Sequence, residues 1–494
     1  MLLEADALAP YPAESLIPAA AVASAVARSG RVLVVLDDDP TGTQSVADLP
    51  VLTSWEVDDF RWAFGVELSG SRASAVYVLT NTRSLDPDEA ARRNREVVGA
   101  ALEAAAESGT EIAFVSRSDS TLRGHFPLET DVISEALAEH GTADGGRGAV
   151  DGIVIVPAFP DAGRVTIGGE HYMRTSGPDG AAALTRVSET EFARDASFGF
   201  STSYLPAYVE EKSAGRLASS DVIVLDLGTI RAGAEAIADA IAPAESSTPI
   251  VADIVAESDF RALALGLEAA EGRGKKLLYR VGPPFVRGRI GQEERKPLTA
   301  DEIFHGQDRA LGGAAAGGLI VVGSHVGQTT RQLARLTEQH SSSRIVELDV
   351  EHLLDPPRAE AYLDARVAVV IEALAAGDVI VHTSRTLVRS DDPAESLRIA
   401  RTVSAAVVRL VNRVLTTTPP RFVIAKGGIT SSDVAAHGLE IRRAIVRGPM
   451  LPGIVSLWEP VDGPARGIPY VVFAGNVGDD ESLADVTRTL SRTF

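Results

Sequence analysis

Residues 31–43 read RVLVVLDDDPTGT, and this stretch decides the fold class. Val32 to Leu36 is an unbroken apolar run without polar alternation, the mark of a strand buried on both faces in a parallel sheet covered by helices. It gives way at once to Asp37, Asp38 and Asp39 and then to a Pro/Thr/Gly turn. In open parallel sheets ligands bind at the carboxyl ends of strands, so chemistry is expected in the polar residues after each apolar run. Adjacent carboxylates repel one another and need solvent, hydrogen-bond donors or cationic side chains. A solvated Asx turn onto Gly42 and Thr43 is the plainer reading. The position directly after a buried strand favours a functional one.

Working outward, similar β-branched runs recur at 75–79, 112–115, 152–156 and 222–225, separated by longer Ala/Leu/Arg segments of helical period. After the basic stretch 287–307 and the Gly/Ala run 312–318 a second set follows at 319–322, 345–348, 379–381, 422–425 and 470–473. This alternation predicts an α/β fold of two domains, each a mainly parallel sheet flanked by helices. The expected boundaries are an N-terminal extension over 1–30, a first domain over 31–300, a linker over 301–317 and a second domain over 318–494. Ile399, Val403, Val407, Leu410 and Val414 mark one helix, whose apolar face should pack on the strand beginning at Phe422. Residues 141–148 read as a surface loop.

The chain has 494 residues with 47 basic and 68 acidic side chains, a net charge of −21. The length suits about two to four domains. Such an acidic excess speaks against a general grip on nucleic-acid phosphates, so no nucleic-acid partner is expected and an anionic small ligand needs a local basic pocket. The absence of cysteine excludes disulfides, thiolate metal sites and Cys nucleophiles. Residues 1–30 lack a basic leader, and the apolar run 311–323 is too short and glycine-rich to span a bilayer. No membrane partner and a cytoplasmic location are therefore expected, and a homo-oligomer is compatible with this composition.

The second run ends in Thr80, Asn81, Thr82, Arg83 and Ser84, and the third continues as SRSDSTLRGH at 116–125. The fourth leads through Pro157 and Phe159 to Arg164. Hydroxyls, an amide and guanidiniums at successive strand ends suit a small polyhydroxylated carboxylate, which Arg can hold with two parallel bonds. One such cluster would more often be capping residues and surface ion pairs; three at matching ends of one sheet favour a site. In the second half Ser324, Gly427-Gly428 and Gly475-Asn476 open turns directly after strands. Strand, glycine turn and helix start present free N–H groups and a positive helix end, for which phosphate is the natural ligand. Neither a P-loop nor a strand-linked dinucleotide fingerprint occurs. His325 and His382 read as structural.

Taken in order, DD-x-TG, TN-x-RS, D-S-T-L-R-G, AFP-x-x-GR, GSH-x-x-x-T, K-GG-x-T and AGN-x-G make the chain resemble the four-carbon acid sugar kinases from about residue 31 to its end. Residues 119–124 are the most specific piece. The resemblance implies an N-terminal domain for the acid sugar and a C-terminal domain for ATP. It further implies transfer of the γ-phosphoryl group, with Mg²⁺, to a hydroxyl of a tetronate, threonate, erythronate or 3-oxo-tetronate type acid. By position it implies Asp38, Asn81, Arg83, Asp119, Ser120, Thr121, Leu122, Arg123 and Arg164 for the acid sugar. For the nucleotide it implies Ser324, Lys426, Gly427, Gly428, Ile429, Thr430, Gly475 and Asn476. Asp38 is the candidate acceptor of the hydroxyl proton, Asp39 would orient it or Mg²⁺, and Arg83 and Arg123 would hold the substrate carboxylate; no metal ligand set is assigned. With acid and ATP on different domains, closure has to bring them together and expel water. The chain departs from the usual pattern at Pro40, Thr43, His325 and Lys426.

Two other readings compete. Asp37, Asp39 and Thr41, with Thr80-Asn81, Lys426 and Gly478-Asp479 with Asp485, repeat in order the signatures of haloacid-dehalogenase-type phosphatases, Asp37 being the nucleophile. They spread over far more chain than one such domain and leave 119–124 without a role. A non-catalytic sugar-acid sensor could use the same pocket without a glycine-rich second domain. Residues 226–229, DLGT, resemble a phosphate loop of actin-like kinases but lack a partner motif. The stretch carrying Arg280, Arg287 and Arg289, beside the linker, is expected to lend the site positive charge, with Arg280 dispensable for stability.

Overall fold

A computed structural model describes residues 2–68, 70–143, 150–177, 180–305, 315–385 and 393–494. Most of the expected linker and most of the loop expected at 141–148 lie outside the described residues; 141–143 continue the helix Leu128–Ala143. The chain forms two compact units, Met1–Gly42 with Trp55–Glu294, and Thr43–Ser54 with Arg295–Phe494.

The first unit is built on a parallel sheet in the order Ile223–Leu225, Thr248–Ala252, Gly152–Val156, Leu277–Val281, Ile112–Arg117, Val32–Asp37, Ala75–Leu79. Every residue of Val32–Asp37 is buried, as an unalternating run requires. The helix Pro87–Ser108 shows how the crossovers are set. Asp86 caps it by accepting from Glu89 N at 3.0 Å, proline opens it, and Gly109 ends it with a left-handed φ of 62°. Its buried stripe includes Ala90, Val97, Ala101 and Ala104.

A second, antiparallel sheet orders Leu2–Leu3, Ala182–Arg186, Glu170–Ser176 and Arg164–Ile167. Residues 1–30 belong to this unit's packing. Arg174 Nη2 meets Glu4 Oε1 at 2.7 Å, and Val22 and Val26 of the helix Ala19–Ser29 cluster with Ala264.

The second unit orders Leu49–Leu52, Arg443–Leu451, Ile454–Pro460, Tyr470–Phe473, Val423–Lys426, Leu319–Val322, Val379–Thr383, Arg344–Leu348. The last five are parallel and the first three antiparallel. Ile320, Val322, Ile380, Phe422, Ile424, Val471 and Phe473 fill its core. Thr43 anchors the early segment here, taking a hydrogen bond from Trp458 Nε1 at 2.9 Å and sharing one with Ser456 Oγ at 2.8 Å. The helix Pro393–Thr417 buries Val407, Leu410 and Val414, packing against the helices Pro356–Leu374 and Gly428–Asp433. The α/β architecture of mainly parallel sheets flanked by helices is thus realised in both units. Among the described residues no helix is long and apolar enough to cross a membrane.

Candidate functional site

The three carboxylates after Val32–Asp37 have three different fates. Asp37 is buried and bonded to Arg117 Nε, and a side chain on Gly42 would collide with both partners. This engagement leaves Asp37 no open face for the nucleophilic role in the phosphatase reading. Burial pushes its carboxyl up to about 7 against the pull of Arg117. Asp39 accepts from Thr41 N at 2.9 Å and from the Thr41 hydroxyl, and pairs with Arg83. Burial opposes its ionisation, but Arg83, Arg117 and the Thr41 bonds outweigh it and hold this carboxyl well below the usual range.

Asp38 differs from both neighbours. It is 2% exposed, and among the described residues neither carboxylate oxygen has a hydrogen-bond partner. Burial raises its carboxyl to about 6; Arg83 and Arg117 draw it down and Glu129 pushes it up. Gly124, with φ 128°, backs onto it: an added Cβ would stand 3.1 Å from Asp38 Oδ2 and 2.8 Å from Arg280 Nη2.

The loop after Ile112–Arg117 closes on itself. Asp119 accepts from the Thr121 hydroxyl and from Arg123 Nε at 2.7 Å, while Arg83 Nη1 stands 3.8 Å away. Arg123 also reaches Asp195 at 3.7 Å and lies over the Phe192 ring. Arg83 and Arg123 are therefore both committed to carboxylates of the chain. Asn81 takes the left-handed conformation, φ 52°, between its strand and the turn Thr82–Ser84. Among the described residues Arg164 has no acidic ion-pair partner: its Nη1 donates to Ala162 O at 2.6 Å, its Nε is buried without a partner there, and burial lowers its pKa.

Arg280, expected to be dispensable for stability, requires a correction: it sits in the strand Leu277–Val281 beside Ser116, 5% exposed. Its Nη1 donates to Ser116 Oγ at 2.7 Å and pairs with buried Glu129, which also accepts from Thr82 Oγ1 at 2.5 Å. Arg287 and Arg289 are likewise buried, against Glu257 and against Glu268 with Glu271. The sequence reading missed Glu129 and the bridging role of Arg117. Arg117 lies inside the quoted run 116–125 and could have been weighed; Glu129 sits in the first turn of the helix Leu128–Ala143 and carries no local signal. Ser118, Asp119, Leu122, Tyr208 and Arg280 line a small cleft here. Asp226 is a helix cap, accepting from Thr229 N at 2.8 Å, which accounts for residues 226–229.

In the second unit three strand ends bring Ser324, Gly427 and Gly475 together. A Cβ on Gly475 would sit 2.7 Å from Ser324 Oγ, and one on Gly427 3.1 Å from Ser324 Cβ and 3.0 Å from Thr430 Oγ1. Gly427, with φ 129°, takes the backbone conformation that favours glycine; Gly428 does not and instead opens the helix Gly428–Asp433. Ile429 is 60% exposed beside this turn. Lys426 turns inward: Nζ donates to Ala474 O at 2.6 Å over the Phe473 ring, and burial lowers its pKa to about 7. It thus tethers the residue that leads into the turn at Gly475 and Asn476. Arg385, not foreseen from the sequence, donates to Ser324 O at 2.8 Å and to Thr330 Oγ1 at 2.6 Å. His325 Nε2 lies 3.4 Å from Thr383 Oγ1.

Residues 33–289 match the family model described as a sugar-binding N-terminal domain, and residues 319–483 the one described as a nucleotide-binding C-terminal domain. A D-erythronate kinase of Heliobacterium modesticaldum is 26% identical over 329 residues, 66% of this chain and 64% of that protein, so the match spans just under two thirds of that relative. A D-threonate kinase of Cupriavidus necator is 27% identical over 434 residues, 84% of this chain and 87% of that one. Among solved structures, a protein of Salmonella typhimurium LT2 aligns with a TM-score of 0.64 at 20% identity, covering 93% of this chain and 99% of that one. A Haemophilus influenzae protein aligns at 0.62 and 16% identity, covering 93% and 100%. Both share the fold.

Proposed function

The chain belongs to the four-carbon acid sugar kinase family, and from that premise we propose that it transfers the γ-phosphoryl group of ATP to a hydroxyl of a four-carbon sugar acid of the erythronate or threonate type. The observation that carries the reading is Asp38: a buried carboxylate with two unpartnered oxygens, at a strand end, among guanidiniums that neutralise it without bonding to it directly. Such a group can accept the hydroxyl proton as the new O–P bond forms.

Arg164 would hold the substrate carboxylate, since among the described residues no acid is ion-paired with it. Arg83 and Arg123, with Asp119, Ser120, Thr121 and Leu122, would shape the surroundings and present donors to hydroxyls, Asn81 adding an amide. In the second unit the turns at Ser324, Gly427 to Thr430 and Gly475-Asn476 offer backbone N–H groups for phosphates, and Arg385 a guanidinium. Lys426 would act there through the Ala474 carbonyl. Val326 and Ile429, both exposed, supply apolar surface for a purine. Among the described residues no cluster of three or more His, Cys, Asp or Glu stands ready for a metal, so Mg²⁺ enters as a companion of the triphosphate, which commonly supplies much of its coordination.

The test is incubation with ATP, Mg²⁺ and a panel of tetronates, following ADP, beside a parallel assay for phosphate release from the corresponding sugar phosphates. ADP formation that depends on one tetronate supports the kinase. Phosphate release without ADP formation supports the phosphatase, and binding without turnover a sensor.

A further inference from the structure

The loop carrying Asp119 to Arg123 is held by two side chains from other parts of the first unit. His171, on the antiparallel strand Glu170–Ser176, is fully buried. Its Nε2 lies 2.8 Å from Ser120 O and its Nδ1 2.9 Å from Thr166 Oγ1. A carbonyl only accepts, so Nε2 carries the hydrogen and Nδ1 receives one from the Thr166 hydroxyl. Burial lowers the ring's pKa to about 4, which keeps that pattern intact near neutrality. Tyr208, on the helix Leu205–Lys212, donates to Leu122 O at 2.9 Å. Its ring stacks on Phe126, centroids 5.7 Å apart, and meets Phe200 edge-on at 5.9 Å. Leu122, whose carbonyl it holds, has φ 68°, a conformation a non-glycine residue keeps only where its surroundings over-determine it.

We propose that His171 and Tyr208 are positioning residues of the acid-sugar site, holding the Ser120 and Leu122 carbonyls so that the backbone of 119–123 keeps the shape that presents Asp119, Thr121 and Arg123. The inference rests on reading that loop as the acid-sugar site. It explains why the antiparallel sheet lies next to a loop it does not continue. Both bonds come from buried donors, so the loop is pre-shaped before the acid arrives.

Tyr208→Phe removes a single oxygen and keeps the ring stacking. It should raise KM for the acid about tenfold, the loss of roughly one hydrogen bond, and leave KM for ATP unchanged. His171→Gln, which keeps a donor within reach of Ser120, should be milder than His171→Ala. In hydrogen exchange, amides of 119–123 should exchange about tenfold faster in Tyr208→Phe, with strand amides of Val32–Asp37 unaltered. Quickened exchange confined to the loop supports the clamp even if the wild type phosphorylates no tetronate, an outcome that would overturn the reaction and not the clamp. A lowered Tm with unchanged acid KM and unchanged loop exchange, in both Tyr208→Phe and His171→Ala, overturns the proposal.

Discussion

Arg117 Nη2 stands 3.5 Å from Oδ1 of Asp38, too far for a good hydrogen bond, while Nε of the same guanidinium is bonded to Asp37. The cation also donates to the Asp39 carbonyl. One guanidinium therefore compensates the charge of Asp38 while its hydrogens go to the neighbours. Charge compensation lets a carboxylate persist in a buried place, and the lack of donors leaves its lone pairs available to a hydroxyl.

Asp38→Asn keeps shape and removes the proton acceptor. It should bind acid and ATP with near-normal affinity and lose about 10²- to 10⁴-fold in kcat, the usual scale of general-base catalysis. Turnover measured by coupled ADP release, with affinities from calorimetry, checks this. A kcat within a few-fold of wild type removes Asp38 from the role.

The raised carboxyl of Asp38 fixes two signs of pH dependence. Activity needs the ionised form, so kcat/KM should fall as pH drops through about 6. For stability, a carboxyl whose native pKa lies above its unfolded value binds more protons folded than unfolded in that interval, so its ionisation costs the native state as pH rises. Wild type should therefore lose Tm relative to Asp38→Asn between about pH 4 and pH 7. A parallel pair of melting curves would refute the assignment.

Gly427→Val should weaken ATP binding by at least about tenfold and leave acid binding intact. The side chain meets Ser324 and Thr430 and forces a β-branched residue to φ 129°. Gly428→Val, without that backbone conformation, should do less. Separate titrations with each ligand decide it; equal loss of both affinities would mean a misfolded chain.

Arg164 and Arg280 should behave oppositely. Arg164→Ala removes a cation that pairs with no acid among the described residues, so KM for the acid should rise about 10- to 100-fold with little change in Tm. Arg280→Ala leaves Glu129 buried without its cation and should cost about 3–5 kcal/mol of stability. Thermal melts beside steady-state kinetics separate the two, and a stable Arg280→Ala protein would contradict this placement.

Val32–Asp37 and Leu319–Val322, buried on both faces, were legible as unbroken apolar runs, and the more exposed Ile223–Leu225 and Arg344–Leu348 were found by their β-branched residues. Thr248–Ala252 was concealed by Pro249, and Leu277–Val281 by Arg280, since a charged residue normally argues against a central strand. What admits Arg280 is Glu129, remote in sequence, and a pairing across that separation leaves no local trace. Gly168-Gly169 did mark the turn between the antiparallel strands Arg164–Ile167 and Glu170–Ser176, a signal that was present and passed over. Within the candidate site, residue types and their order singled out loops at strand ends, which is what short-range sequence can carry. Which Arg is already spent on an acid of the chain depends on side-chain packing, and so only the structure separates Arg164 from Arg83 and Arg123.

The placement of Thr43–Ser54 in the second unit has a bearing on synthesis. Its strand Leu49–Leu52 pairs with Arg443–Leu451, so it leaves the ribosome long before its partner exists. At the usual elongation rate of about 5–20 residues per second the wait is on the order of tens of seconds, during which the edge of this short apolar strand that Arg443–Leu451 will occupy stays unpaired. The first unit, completed at Glu294, has to fold around a loop whose destination has not been made. A ribosome-bound chain arrested before residue 443 should therefore be nicked by protease within 43–54 and protected there once released at full length; equal resistance in both would mean that the segment has another resting place.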